Sequence, residues 1–144
     1  MGNERYSNLT VEEEYTHVTF WCIFRSPLML GGNLPENRPF ELSLFSNPEV
    51  IAVNQQGENP RELYKKDSAM VWYSHEQASK DLFVALFNLG ENSRDVKVSF
   101  SEIGFNGRVK IRDLWQKEDI GVFKGGYHRQ IPPHGTALLK LSGF

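Results

Sequence analysis

Sulfur is scarce in this chain: among 144 residues Cys22 is the one cysteine, which excludes an intramolecular disulfide and any cysteine-rich metal site. Flanked by Trp21 and Ile23, it reads as a small buried hydrophobe rather than a nucleophile. Long apolar runs are missing too. The longest, residues 18–24, is too short to span a bilayer, and residues 1–10 are polar, so neither a membrane span nor a secretory leader is expected. Charge of one sign is equally scarce: 18 acids face 16 Lys and Arg, a net charge of -2, which gives no field to attract nucleic acid or an anionic membrane surface. The balance shifts mildly along the chain, from eight acids against Arg5, Arg25 and Arg38 in residues 1–60 to ten acids against thirteen bases in residues 61–144. The length leaves room for one ordinary domain and excludes a full-sized two-domain enzyme.

The common catalytic signatures are also missing. No phosphate loop, dinucleotide fingerprint, His-Glu-x-x-His or Gly-x-Ser-x-Gly occurs, and Ser26 stands before proline rather than on a nucleophile elbow. His17, His75, His128 and His134 have no metal-ligand spacing, so no metal or cofactor is expected.

What is present divides near residue 60. Thr10 followed by Glu13 has the form of a capping box with Leu9 at the staple position, and Val11, Tyr15, Val18 and Cys22 recur at helical spacing, predicting a helix over residues 11–24. Its second half is apolar on nearly every side and is expected to be buried all round. Residues 28–30 form a short apolar run between Pro27 and two glycines, read as a buried strand. Residues 40–45 suggest a short helix broken at Asn47 and Pro48, residues 49–54 a last helical turn, and residues 55–60 a linker. Helix, strand, helix is the rhythm of a parallel α/β unit.

Beyond residue 60 the segments shorten. Residues 69–73 and 82–89 read as strands, the second with Phe83, Ala85 and Phe87 on one face and Leu82, Val84 and Leu86 on the other, hence covered on both sides. Residues 95–100 alternate, with Val96, Val98 and Phe100 inward. Asn106 and Gly107 suggest a type I′ turn into Val109, Ile111 and Trp115; Gly125 and Gly126 separate residues 120–123 from 127–131; and the Pro132 to Gly135 turn leads to a last strand over 136–141. About seven short strands at regular turn spacing predict a mainly β fold, an antiparallel Greek-key sandwich preceded by the short α/β segment, with residues 1–60 and 61–144 as its two parts.

Sugar hydrolysis, as one chemistry built on carboxylate pairs, needs two acids across a cleft. Glu12, Glu13 and Glu14 suit a solvated first helical turn better, and Asp113 and Asp119 come without a cleft signal. Asn8 to Thr10 matches a glycosylation sequon, although Thr10 is better explained as a cap. Trp72, Tyr73, Trp115 and Tyr127 could stack on a sugar ring, but core packing explains them better.

The stretches THVTFW (16–21), FRSPLMLGGNL (24–34) and NPEVIAVNQ (47–55) resemble the end of the catalytic barrel in glycoside hydrolase family 27, the α-galactosidase family. RDLW (112–115), Gly121, IPPHG (131–135), Leu138 and Leu139 resemble the C-terminal β-sandwich of the same enzymes. The resemblance implies that residues 28–30 correspond to the eighth strand of a (β/α)8 barrel, a fold of about 250 residues. It also implies that the catalytic aspartates, carried by earlier barrel loops, have no counterpart here. The expected function is thus a non-catalytic C-terminal part of a retaining glycosidase, inactive alone, with the rest of the barrel as partner and a galactoside or related carbohydrate bound only in an intact enzyme. Leu30, Gly31, Gly32 and Asn33 would lie beside that sugar, since barrel enzymes build their sites at C-terminal strand ends. Deprived of a barrel, residues 1–55 are expected to fold back on a sheet face or to mediate self-association. A carbohydrate-binding or purely structural sandwich module is the alternative.

Overall fold

The computed structural model describes residues 8–28, 35 and 37–144. Helix α1 (Val11–Ile23) starts where its capping box demands: Thr10 Oγ1 accepts from the Glu13 backbone N–H at 3.2 Å, and the Glu13 carboxylate accepts from the Thr10 N–H at 2.8 Å. Helix α2 (Pro39–Ser46) and helix α3 (Pro48–Gln56) each begin with proline at the first helical position, where a missing N–H costs nothing. Asn47 separates them. Its Oδ1 accepts from the N–H groups of Glu49 and Val50, and its Nδ2 donates to the Leu114 carbonyl, so one side chain caps α3 and ties it to the sandwich.

Eight strands follow: β1 (Gly57–Lys66), β2 (Ala69–Glu76), β3 (Leu82–Asn88), β4 (Arg94–Ser99), β5 (Arg108–Asp113), β6 (Glu118–Lys124), β7 (Gly126–Ile131) and β8 (Thr136–Gly143). Six form a sheet in the order β1-β2-β3-β8-β5-β6, and β4 with β7 form a second, two-stranded sheet. Every pairing is antiparallel. The chain leaves the large sheet after β3, returns for β5 and β6, leaves again for β7, and inserts β8 between β3 and β5.

The large sheet is therefore the middle of three layers. Towards the small sheet it contributes Leu82, Val84, Leu86, Leu139 and Leu141, which pack with Val96, Val98 and Phe100. Towards the helices it contributes Phe83, Ala85, Phe87 and Leu138, which pack with Val18, Cys22, Ile23, Leu44, Val50 and Val53. Both faces of β3 are buried, as its unbroken apolar sequence requires.

Four expectations change. Residues 55–60 are not a linker: they complete α3 and open β1, whose polar sequence hides it as a strand. β1 can hold Pro60 because it is a sheet edge, and the register slips between Glu58 and Arg61, where Asn59 takes a left-handed φ of 51°. Residues 49–54 belong to a full nine-residue helix rather than one turn. Asn106 and Gly107 have no positive φ and connect strands of different sheets; the left-handed residue there is Gly104, closing a 3-10 turn at Ser101–Ile103. The second half of α1 is buried on one side only, since Phe20 and Trp21 are half-buried and Phe24 exposed, because nothing among the described residues covers their outer side. Of the expected strand at 28–30, Leu28 is irregular, and the rest lies outside the described residues.

Candidate functional site

Leu30, Gly31, Gly32 and Asn33 lie outside the described residues, but both ends of the segment that carries them are well anchored. Upstream, the chain leaves α1 through Arg25 in a left-handed conformation, φ 56°. The buried Asn54 of α3 holds this exit: its Nδ2 donates to the Ser26 carbonyl at 2.7 Å and to the Trp21 carbonyl at 3.4 Å, while Arg25 Nε donates to the Asn54 carbonyl at 3.2 Å. Leu28 then packs on the helix-side core.

Downstream, Arg38 precedes the proline that opens α2. Its guanidinium donates to Glu41 at 2.7 and 3.0 Å and to Glu14 of α1 at 2.9 Å, and its backbone N–H donates to Glu41 at 3.0 Å. Glu14 and Glu41 are both buried. Burial alone would raise the Glu41 carboxyl, but the Arg38 hydrogen bonds and charge hold it below the usual carboxylate range. Glu14 is thus not part of a solvated turn: three charges lock α1 to the start of α2 across the segment between them. Pro39 with Glu41 two residues later marks that helix start in the sequence; the reach to Glu14 leaves no local signal.

The other candidate groups do not converge. Asp113 is buried and accepts from Arg129 Nη1 at 2.8 Å and from the Gln116 N–H at 2.9 Å, whereas Asp119 pairs with Lys110 at 2.9 Å and Arg112 at 3.1 Å. Both carboxylates are tied to structural partners, which is ion-pair chemistry rather than a general acid and base across a cleft. The four aromatic candidates do not form a platform: Trp72 and Trp115 pack against the helix-side core, and Tyr73 and Tyr127 against the other. Trp115 is further fixed by Tyr15 edge-on at 4.9 Å and by its Nε1 donating to the fully buried Thr19 Oγ1 at 2.9 Å. Burial pushes the Cys22 thiol up to about 12, which removes it as a nucleophile at neutral pH. Among the described residues no group of three potential ligands could hold a metal ion, and no helix is long and apolar enough to cross a membrane.

Two further junctions escaped the sequence reading. Asn88, fully buried at the end of β3, donates through Nδ2 to the carbonyls of Asn92, Ile131 and Pro132 and accepts from the Gly90 N–H. His134, in the turn before β8, contacts Glu13 and Glu91 through its two ring nitrogens, and its carbonyl accepts from Thr16 Oγ1 at 2.6 Å. Both lie beside a groove of about 280 Å³ between α1 and the loops at this end of the sandwich.

The fold has close counterparts. A family GH27 β-L-arabinopyranosidase from Geobacillus stearothermophilus is 42% identical, with a TM-score of 0.93 over 96% of this chain and 32% of that one. α-Galactosidase I from Mortierella vinacea superposes with a TM-score of 0.88 at 25% identity, over 95% of this chain and 37% of that one. Alpha-galactosidase 2 of Arabidopsis thaliana is 30% identical over 138 residues, 93% of this chain and 35% of that protein. The chain thus spans only about a third of the length of each of these relatives. Residues 66–141 match the family described as the alpha galactosidase C-terminal beta sandwich domain. With β2 to β7 and most of β8 inside that match, and its sandwich superposing on those of glycoside hydrolases, the chain belongs to this family of C-terminal β-sandwich domains.

Proposed function

We propose that the chain acts as the non-catalytic C-terminal portion of an α-galactosidase-like retaining glycosidase, supporting a catalytic barrel that other residues supply. The family match over residues 66–141 carries this reading. The distribution of apolar surface supports it: Val11 and Leu42 on α1 and α2, and Phe24 at the exit of α1, are 54%, 41% and 38% exposed, on the helical layer that a barrel would cover. In this reading residues 1–60 derive from the end of the barrel and residues 61–144 from the sandwich, with β1, which begins at Gly57, running across the boundary. The helix-side core they share supports reading this as a division by origin.

Leu30 would wall the sugar pocket of the intact enzyme, with Gly31, Gly32 and Asn33 bringing backbone close to the ring. The substrate class follows the relatives: a galactoside or the related arabinopyranoside, whose ring is that of galactose without the hydroxymethyl arm. The 42% identity to an arabinopyranosidase favours the second of these.

The purified chain should not turn over aryl α-galactosides or aryl β-L-arabinopyranosides above the rate in buffer. Hydrolysis that copurifies with the chain through two unrelated affinity steps would refute a non-catalytic role.

A further inference from the structure

The turn between β7 and β8 carries a charged junction that joins three separate elements. His134 is held there in a left-handed conformation, φ 57°, by its N–H donating to the Gly90 carbonyl and by the turn bond from Gly135 N–H to Pro132 C=O. Its Nδ1 lies 3.0 Å from a Glu13 oxygen on α1 and its Nε2 lies 2.8 Å from a Glu91 oxygen on the β3–β4 loop. An ionised carboxylate only accepts hydrogen bonds, so both ring nitrogens must donate, and a ring with two N–H groups is an imidazolium. The neutral ring has one N–H; whichever nitrogen lost its proton would turn a lone pair toward a carboxylate oxygen.

We propose that His134 is a pH-sensitive latch, holding the first turns of α1 on the sandwich while its ring is charged and loosening them when the ring is neutral. The groups that face it are Glu13 and, across the groove, His17 on α1, together with Glu91 on the loop after β3. The hydrogen bonds to Glu91 and then Glu13 raise the His134 pKa above its ordinary 6.5. The sign is that of a group whose charged form belongs to the folded state: the stabilisation is complete below 6.5 and disappears as pH rises through the raised folded value. On the acid side, the Thr10 backbone N–H and then His134 hold Glu13 below its ordinary 4.5, so that contribution disappears as pH falls through the lowered value. The latch is closed between the lowered Glu13 value and the raised His134 value.

The test uses the full chain. The His134 imidazole is titrated by NMR, and exchange of the α1 amides, corrected for intrinsic rates, is followed from pH 6 to 9. His134 should titrate above 6.5, and protection over residues 14–18 should fall about threefold with the same midpoint, the size of an exposed ion pair. His17→Asn should leave this behaviour in place, Glu91→Gln should lower the midpoint, and His134→Gln should give protection independent of pH. A titration at or below 6.5, or a pH-dependent α1 in His134→Gln, would overturn the latch. Should His134→Gln fail to fold, the exposed Glu91→Gln change still decides through its midpoint.

Discussion

Single polar side chains, not pairs of acids, give this chain its long-range order. Asn88 is the clearest case. Its amide group serves three carbonyls, of Asn92 in the β3–β4 loop, Ile131 at the end of β7 and Pro132 in the following turn, and its Oδ1 serves the Gly90 N–H. Asn88→Ala should cost about 2–3 kcal/mol, because the buried Ile131 carbonyl and the part-buried partners at Asn92, Pro132 and Gly90 lose their hydrogen bonds while little apolar surface is lost. Urea unfolding at neutral pH measures it, and a loss below about 1 kcal/mol would mean that water replaces the amide. Arg38 works in the same manner with charge, joining Glu14 and Glu41 from two helices.

Elements were legible in the sequence to the degree that their burial pattern is local. Thr10 and Glu13 mark the start of α1 because both halves of a capping box lie within one turn. The two faces of β3 can be read directly, since an apolar strand alternating between two cores needs only period two. β1 was hidden for the opposite reason: as an edge strand it buries little, and its proline and lysines suit an unpaired edge while reading as a linker. The site was less legible still. Glu13 and His134 are separated by 121 positions and Trp115 and Thr19 by 96, and no periodicity encodes such contacts. The Thr19 bond gives α1 a buried polar anchor on the sandwich, beside those of Glu13 and Thr16 at His134. Thr19→Val should cost about 1–3 kcal/mol by orphaning the indole N–H, whereas Thr19→Ser, which keeps the acceptor, should cost about 1 kcal/mol for the lost methyl. Equal losses on unfolding, followed by tryptophan fluorescence, would show that shape rather than the hydroxyl matters.

At the scale of the whole molecule, the central sheet is covered on both faces, yet the helical layer keeps apolar side chains in water. A helical layer of this kind can be the ordered end of a larger body: α1 and α2 are locked to each other by Arg38 and to the sandwich by Asn47 and Thr19, so they can present the segment between residues 28 and 38 from fixed points. That arrangement can be tested by joining this chain to the barrel of the 42%-identical arabinopyranosidase in place of the third of that enzyme on which it superposes. The chimera should hydrolyse an aryl β-L-arabinopyranoside. Leu30→Ala in it should lower kcat/KM by about tenfold to a hundredfold, the worth of a few methylenes in a sugar pocket, without moving the thermal midpoint. Arg38→Ala should lower both, since it frees the downstream anchor and leaves Glu14 and Glu41 buried without their cation. A folded chimera without activity would remove the support for a barrel-bearing role, and one in which Leu30→Ala is silent would place the sugar elsewhere.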